Sequence, residues 1–324
     1  MDNYVIPEKS TTYACKYVKV DELIQSQSLD SNKKYHAIKF SPQITNEMVH
    51  HMIIYSCIPG TRYTPGVTDC TKMNNFYCAE PIALSGLSTE SVTLPQEAGY
   101  IWGSIKTKLV WLEIHYSNPS NTVGQTDSSG FKIDFTSNLR AYNMGTLTLG
   151  TPEDEIAIPA NAPSTVFSNT CSSRCVNKLP ADGINIVYTL LHGHMLMNKI
   201  RMEIKFSNGT VDNTTFRSDK YIFHNQYIKI VDPPIKVLPG STITTVCDYD
   251  SMGVNEITKG GKASSDEMCY AFVAYYPGEI GFEMCFDDFC KYVPESMLNI
   301  PSIQSSNCLF LNLTLLFILV LVLF

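Results

Sequence analysis

Apolar and β-branched residues are distributed along the chain in short runs, at 36–40, 49–55, 110–116, 130–135, 184–191, 199–206, 227–231, 242–247 and 269–276, punctuated by Pro, Gly, Asn and Ser. Runs of this length, rich in Val, Ile, Thr, Tyr and Phe, suit a pleated, half-buried surface and read as strands. No segment sustains helical periodicity over many turns, so the pattern predicts β-sandwiches rather than an α/β fold. A Pro-containing connection at 151–163 divides the runs into halves of comparable size. The expected fold class is all-β, with two consecutive antiparallel, jelly-roll-like β-sandwich domains.

The chain ends depart from this pattern. Residues 309–324 are almost wholly apolar, interrupted only by Asn312 and Thr314. That is short of the roughly 20 residues of a membrane-spanning helix. The small residues Ser305, Ser306 and Asn307 before it suggest a lipid-anchor signal, without most of its usual polar spacer. Membrane attachment through this tail is expected, with its type left open. The opening 1–12 is polar and has no apolar core of signal-peptide length, so the targeting segment is expected to lie outside this chain.

Length and composition fit two globular domains: 324 residues, 44% hydrophobic and 17% charged. The net charge is −7 and the basic residues are scattered, which sets nucleic acid aside as a partner. The cysteines change the picture more, because ten of the 11 lie between Cys15 and Cys290, within the strand-like sequence. They point to disulfides formed in an oxidising, secretory compartment. Structural zinc is the competing reading, but the close pairs Cys171/Cys175 and Cys285/Cys290 have no His beside them. Asn208-Gly-Thr and Asn213-Thr-Thr are glycosylation acceptors that fit the same compartment.

Four of the seven histidines fall in two tight groups, His50-His51 and His192-Gly193-His194, and His115 lies in the run 110–116. A single histidine in a β-rich chain is usually a hydrogen-bonded structural residue; the two groups together have metal-ligand spacing. Residues two apart on a strand share a face, so His192 and His194 offer two imidazoles to one ion. Adjacent His50 and His51 can share an ion only if the backbone is irregular there or if they use different ring nitrogens. Met268 alone reads as a core gap-filler. Beside two imidazoles, its thioether would favour Cu(I). His36 and His224 fit no motif and read as structural or surface residues.

Several segments resemble the type II, ascorbate-dependent copper monooxygenases, the family of dopamine β-hydroxylase and peptidylglycine α-hydroxylating monooxygenase. They are Ile6-Pro7, Thr11-Thr-Tyr-Ala-Cys15, Val49-His-His-Met52 running to Cys57, Leu112-Glu-Ile-His-Tyr116, Leu191-His-Gly-His194, and Ser265-Asp-Glu-Met-Cys269 running to Tyr275-Tyr-Pro277, in family order. The resemblance implies two copper ions per chain. An electron-transfer copper would be held by His50, His51 and His115 in a domain at 1–155. A catalytic copper would be held by His192, His194 and Met268 in a domain at 156–293, facing the first across a solvent-filled cleft. A linker at 294–308 and the tail at 309–324 would follow. Ascorbate would be the reductant and O2 the oxidant. Tyr13 matches a functional tyrosine of the dopamine β-hydroxylase branch. The family's disulfide pattern implies Cys15 with Cys70, Cys57 with Cys78, Cys171 with Cys285 and Cys247 with Cys269. Cys175 is then left for Cys290, and Cys308 is odd.

The peptide-amidating branch holds a peptide carboxylate with an Arg two residues before its HxH and with Asn and Tyr after its Met. Those positions are Leu190, Tyr270 and Phe272 here, so the clamp is missing. A phenylethylamine such as dopamine or tyramine is therefore the expected substrate. The alternatives are the same chemistry on a peptide or another small molecule, or a secreted copper-binding protein without activity. Gly193 replaces the usual Thr of this branch and is expected to loosen the second site, because Gly is costly in a strand. The branch normally has a further amino-terminal domain, which leaves oligomeric state open.

Overall fold

The computed structural model describes residues 1–70, 77–78, 80–86, 90–103, 107–223, 225–278, 280 and 282–292. The expected linker and apolar tail, with His224 and Cys308, lie outside the described residues, among which no helix is long and apolar enough to cross a membrane.

The first half contributes β1 (Thr11–Lys19), β2 (Tyr35–Gln43), β3 (Val49–Ser56), β4 (Val67–Asp69), β5 (Glu80–Ser85), β6 (Val92–Thr93), β7 (Ala98–Trp102), β8 (Leu109–Ser117), β9 (Gly130–Thr136) and β10 (Tyr142–Asn143). They build two five-stranded sheets, one ordered β4-β1-β8-β3-β5 and the other β9-β2-β7-β10 with β6 paired to β2. The second half contributes β11 (Gly145–Thr151), β12 (Thr165–Cys171), β13 (Ile184–His192), β14 (Met197–Lys205), β15 (Val211–Ser218), β16 (Ile228–Val237), β17 (Thr242–Tyr249), β18 (Cys269–Tyr276), β19 (Phe282–Phe286) and β20 (Phe289–Tyr292). These form a six-stranded sheet, β16-β13-β18-β11-β19-β20, and a four-stranded sheet, β12-β17-β14-β15. Pairing in these four sheets is antiparallel except for β7 with β10 and β11 with β19. The fold is two consecutive β-sandwiches.

Strand sequence follows from where each face goes. In β14, Ile200, Met202 and Ile204 turn inward and alternate with half-buried Arg201 and Glu203, as in a sheet with one wet face. β13 and β18 are buried almost without interruption, because their sheet is covered on both sides. Ile186, Ala271 and Val273 pack in the second sandwich core, whereas Tyr188, Leu190, Phe272 and Ala274 belong to the core of the first. The Tyr100 and Thr146 hydroxyls, 2.6 Å apart, cross this seam. The two sandwiches therefore share an apolar interface that fixes one against the other.

Five disulfides brace the sheets. Cys15–Cys70 and Cys57–Cys78 hold the first sandwich, and Cys171–Cys285 and Cys175–Cys290 tie the end of β12 and the short helix Ser173–Val176 to the β19–β20 hairpin. Cys247–Cys269 joins β17 to the first residue of β18. The close cysteine pairs that raised zinc are thus committed to disulfides. Because Cys171–Cys285 closes 114 residues, replacing both partners by alanine is expected to lower unfolding free energy by roughly 2–4 kcal/mol. A urea titration of the purified variant should show an earlier midpoint, and an unchanged midpoint would contradict the bracing role.

Candidate metal centres

The first histidine cluster is assembled by register. β8 pairs with β1 and β3 so that His115 lies opposite Tyr13 on one side and His51 on the other. The β3–β8 register shifts between Val49 and His51, leaving His50 as an extra residue. This bulge supplies the irregular backbone that neighbouring histidines need to face one point. His50, His51 and His115 are all buried and each offers a ligand atom within 4.8 Å of the others. The Nδ1 atoms of His50 and His51 are 3.2 Å apart. Two nitrogens bound at about 2.0–2.1 Å to one ion have similar spacing. Tyr13 stacks on His115 with ring centroids 4.4 Å apart and 5° between planes.

The second cluster differs from a plain strand chelate. His192 is the last residue of β13, while Gly193 and His194 have already left the sheet. The chain is caught by Glu267, whose carboxylate accepts the backbone N–H of His194 at 2.8 Å, of Met268 at 3.3 Å, and of Leu196. His192 donates Nδ1–H to Gln226 Oε1 at 2.8 Å, and His194 donates Nδ1–H to the Asp266 carbonyl at 3.0 Å. Both rings are thereby held in the tautomer that leaves Nε2 as the lone-pair nitrogen. Nε2 of His194 is buried and has no hydrogen-bond partner. Met268 shares a cavity with His192, and its carbonyl accepts the Tyr249 hydroxyl at 2.8 Å.

Gly193 is a packing requirement rather than a source of looseness. A Cβ there would meet Met197 Cε at 2.2 Å and the Met268 carbonyl oxygen at 2.9 Å. Met197 fills the space a side chain would take, and the Tyr221 hydroxyl both accepts Gly193 N–H at 3.0 Å and donates to its carbonyl at 2.9 Å. The expectation of a loosened site is corrected accordingly.

The expected solvent-filled cleft is also corrected. The rings of His51 and His192 are 5.5 Å apart, and Phe223 stacks on His50 at 4.0 Å while lying 5.7 Å from His194. The two clusters meet through an aromatic contact at the seam. Beside them is a cavity of about 210 Å³ that includes Tyr13, His51, His192 and Met268, with Trp111, Tyr270 and Phe272 among its walls. Glu113 and Glu153 also line it. Of the residues standing in the peptide clamp positions, Tyr270 and Phe272 reach this cavity, whereas Leu190 is buried in the core.

Burial sets the protonation of these groups. It drives His51 well below the imidazole range, helped by His115 and His192, and lowers His192 and takes His194 down to about 3. Buried imidazoles, with ligand atoms brought together in the first cluster and tautomers fixed in the second, and a thioether lining the same cavity as His51 and His192, suit a soft or borderline redox metal. Burial also pushes Glu113 and Glu267 up to about 7, in Glu267 against the pull of its backbone donors. His36 is a structural histidine: it is buried, with Nε2 3.0 Å from Asn143 Oδ1 and Nδ1 accepting Arg140 N–H at 3.0 Å.

Fold and site define a protein of paired β-sandwiches with histidine clusters converging at their seam. The copper type II ascorbate-dependent monooxygenase N-terminal domain matches residues 1–123 and the C-terminal domain of that family matches residues 142–297. The chain belongs to the copper type II ascorbate-dependent monooxygenase family. Tyramine beta-hydroxylase of Caenorhabditis briggsae is 32% identical over 280 residues, which cover 84% of this chain and 46% of that protein. Human dopamine beta-hydroxylase is 31% identical over 296 residues, covering 87% and 46%. DBH-like monooxygenase protein 2 of Mus musculus is 31% identical over 287 residues, covering 86% and 45%. The chain spans about half the length of these curated relatives.

Three supporting residues were not singled out from the sequence. Glu267 lies inside the Ser265–Cys269 motif, where a carboxylate next to Met268 was a usable signal. Gln226 and Tyr221 are isolated in sequence and gave none. The packing at Gly193 makes a prediction: Gly193→Thr should destabilise the protein by about 1–3 kcal/mol through overpacking, and Met197→Ala in the same chain should recover part of the loss. Thermal melts of the two single variants and the double variant test this. Strictly additive losses would show that Met197 does not occupy the position.

Proposed function

We propose that this protein is a copper monooxygenase that uses ascorbate and O2 to hydroxylate an aliphatic carbon of a phenylethylamine, in the secretory pathway. The observation that carries the reading is that His51, His192 and Met268, one histidine from each cluster with the thioether, line one aromatic-walled cavity, while His50, His51 and His115 bring their ligand atoms within 4.8 Å of one another. His50, His51 and His115, from the proposed domain 1–155, hold one copper. His192, His194 and Met268, from the proposed domain 156–293, hold the other. Copper bound there supplies one-electron redox and oxygen activation, with ascorbate as the reductant.

The chain's own residues do the rest. Gln226 and Asp266 keep the His192 and His194 rings turned with Nε2 inward, and Glu267 ties the Met268 segment to the HxH segment. Tyr13 orients His115 by stacking on it. Trp111, Tyr270 and Phe272 take the aromatic ring of the substrate. Glu153 supplies the acidic group for the ammonium; burial raises it above the usual carboxylate range, Lys262 opposes that rise, and the incoming ammonium favours its ionised form. A cavity of about 210 Å³ favours a single-ring molecule, because larger ligands occupy pockets of roughly 300–1,000 Å³. The missing clamp at Leu190, Tyr270 and Phe272 disfavours a peptide. Five disulfides support an oxidising compartment. Glycosylation at Asn208 and Asn213, both in exposed or half-buried segments, and membrane attachment through 309–324 complete the proposal.

The test is hydroxylation of a phenylethylamine panel by the copper-loaded full chain under labelled O2, followed by mass spectrometry. Ascorbate-dependent label in an amine is expected. Met268→Ala should lose more than the roughly 10–100-fold that outer partners of a metal site cost. Label appearing only in glycine-extended peptides would reject the substrate class. A copper-loaded chain that labels nothing and consumes no O2 with ascorbate would favour a binding protein. Gln226→Leu should weaken copper at one site by roughly 10–100-fold, measured by competition with a chelator, and equal affinity in wild type and variant would remove Gln226 from the site.

A further inference from the structure

His192 lines one cavity and is hydrogen-bonded to a residue that lines another of different character. One is the aromatic cavity that contains Met268. The other, of about 140 Å³, lies on the Gln226 side, and Gln226 and Tyr221 are walls of it while also holding His192 and Gly193. Its remaining lining is mostly polar: Thr214, Thr215, Ser218 and Asn225 bring hydroxyl and amide groups, and Arg217 and Lys229 bring positive charge. Arg217 is paired with Asp219, whereas Lys229 makes no ion pair among the described residues. Thr189, also in the lining, is fully buried and its hydroxyl makes no hydrogen bond.

We propose that this second cavity binds ascorbate, through Lys229 and the hydroxyl-bearing side chains around it, next to Gln226. The inference rests on the ascorbate dependence in the reading above and adds the site. Ascorbate is a small monoanion at neutral pH that carries several hydroxyls. A hydroxyl- and amide-lined pocket with surplus positive charge complements it better than the aromatic cavity, where two glutamates stand against one lysine. Reductant and organic substrate would then occupy different cavities, so neither has to leave before the other enters. Gln226 is the contact between the ascorbate cavity and the imidazole, through its 2.8 Å bond to Nδ1.

The test is anaerobic equilibrium dialysis of ascorbate against the metal-free full chain, which reads binding without any turnover. One saturable site per chain is expected. Lys229→Glu should weaken it about tenfold or more, since hydrogen bonds to charged groups carry at least that much, and Lys229→Arg should bind nearly as wild type. Lys236→Glu, on the same strand but outside the cavity, makes the same charge change and should have little effect. Absence of a saturable site, indifference to Lys229→Glu, or equal weakening by Lys236→Glu would overturn the proposal. The readout is independent of the monooxygenase reading: the expected binding pattern in a chain that hydroxylates nothing would sustain the site and defeat the reaction. Hydroxylation by a chain whose ascorbate binding ignores Lys229 would do the reverse.

Discussion

Five imidazoles share one buried seam, and keeping them neutral, oriented and close together is the constraint on which the surrounding structure depends. Burial disfavours the charged form of His51, His192 and His194, and the neighbouring rings add to the effect at His51 and His194, so the proton that would repel them is kept off these three. A neutral ring still has to be told which nitrogen carries hydrogen. Gln226 and the Asp266 carbonyl settle that for His192 and His194, and Ser264, 3.2 Å from His115 Nε2, gives that ring a polar partner from the segment that carries Met268. The same short segment, 264–268, therefore touches both clusters. It is itself anchored at its end by Tyr249 and by the Cys247–Cys269 disulfide.

The sandwiches make this seam possible. β8 lies between β1 and β3, which fixes Tyr13, His115 and His51 in a row, and the bulge at His50 brings the fourth ring of that face into reach. On the other side, β13 ends at His192 because the next residues are taken over by Glu267 and Tyr221 instead of the sheet ladder. Covering β13 and β18 on both faces welds the two halves, so the clusters are held by packed strands and not by loops alone. Small positional errors at a metal centre are costly, and strands supported on both faces give the stiffness that limits them.

Much of this was legible in the residues. Short β-branched runs gave the strands and the all-β class, and the need for an irregular backbone at His50-His51 followed from the two-residue period of a strand. Other features could not be read locally. His194 was expected on a strand beside His192, but a carboxylate 73 residues away in sequence takes its N–H. Gly193 looked like a weakness because Met197, its packing partner, sits in the next strand, and one sequence does not say which side chains meet. The contact between the two clusters depends on Phe223 and on how the sandwiches dock, which is a property of the whole interface. Gln226 and Tyr221 acquire meaning only from that three-dimensional placement.

The central claim is that two unlike copper centres are built from His50, His51 and His115 and from His192, His194 and Met268. X-ray absorption of the fully reduced, copper-loaded full chain tests it most directly, combined with a count of bound copper. The account predicts two coppers per chain, nitrogen ligation at both, and a sulfur scatterer at one that vanishes in Met268→Ala. A single copper per chain, or a sulfur contribution that survives removal of Met268, would contradict it.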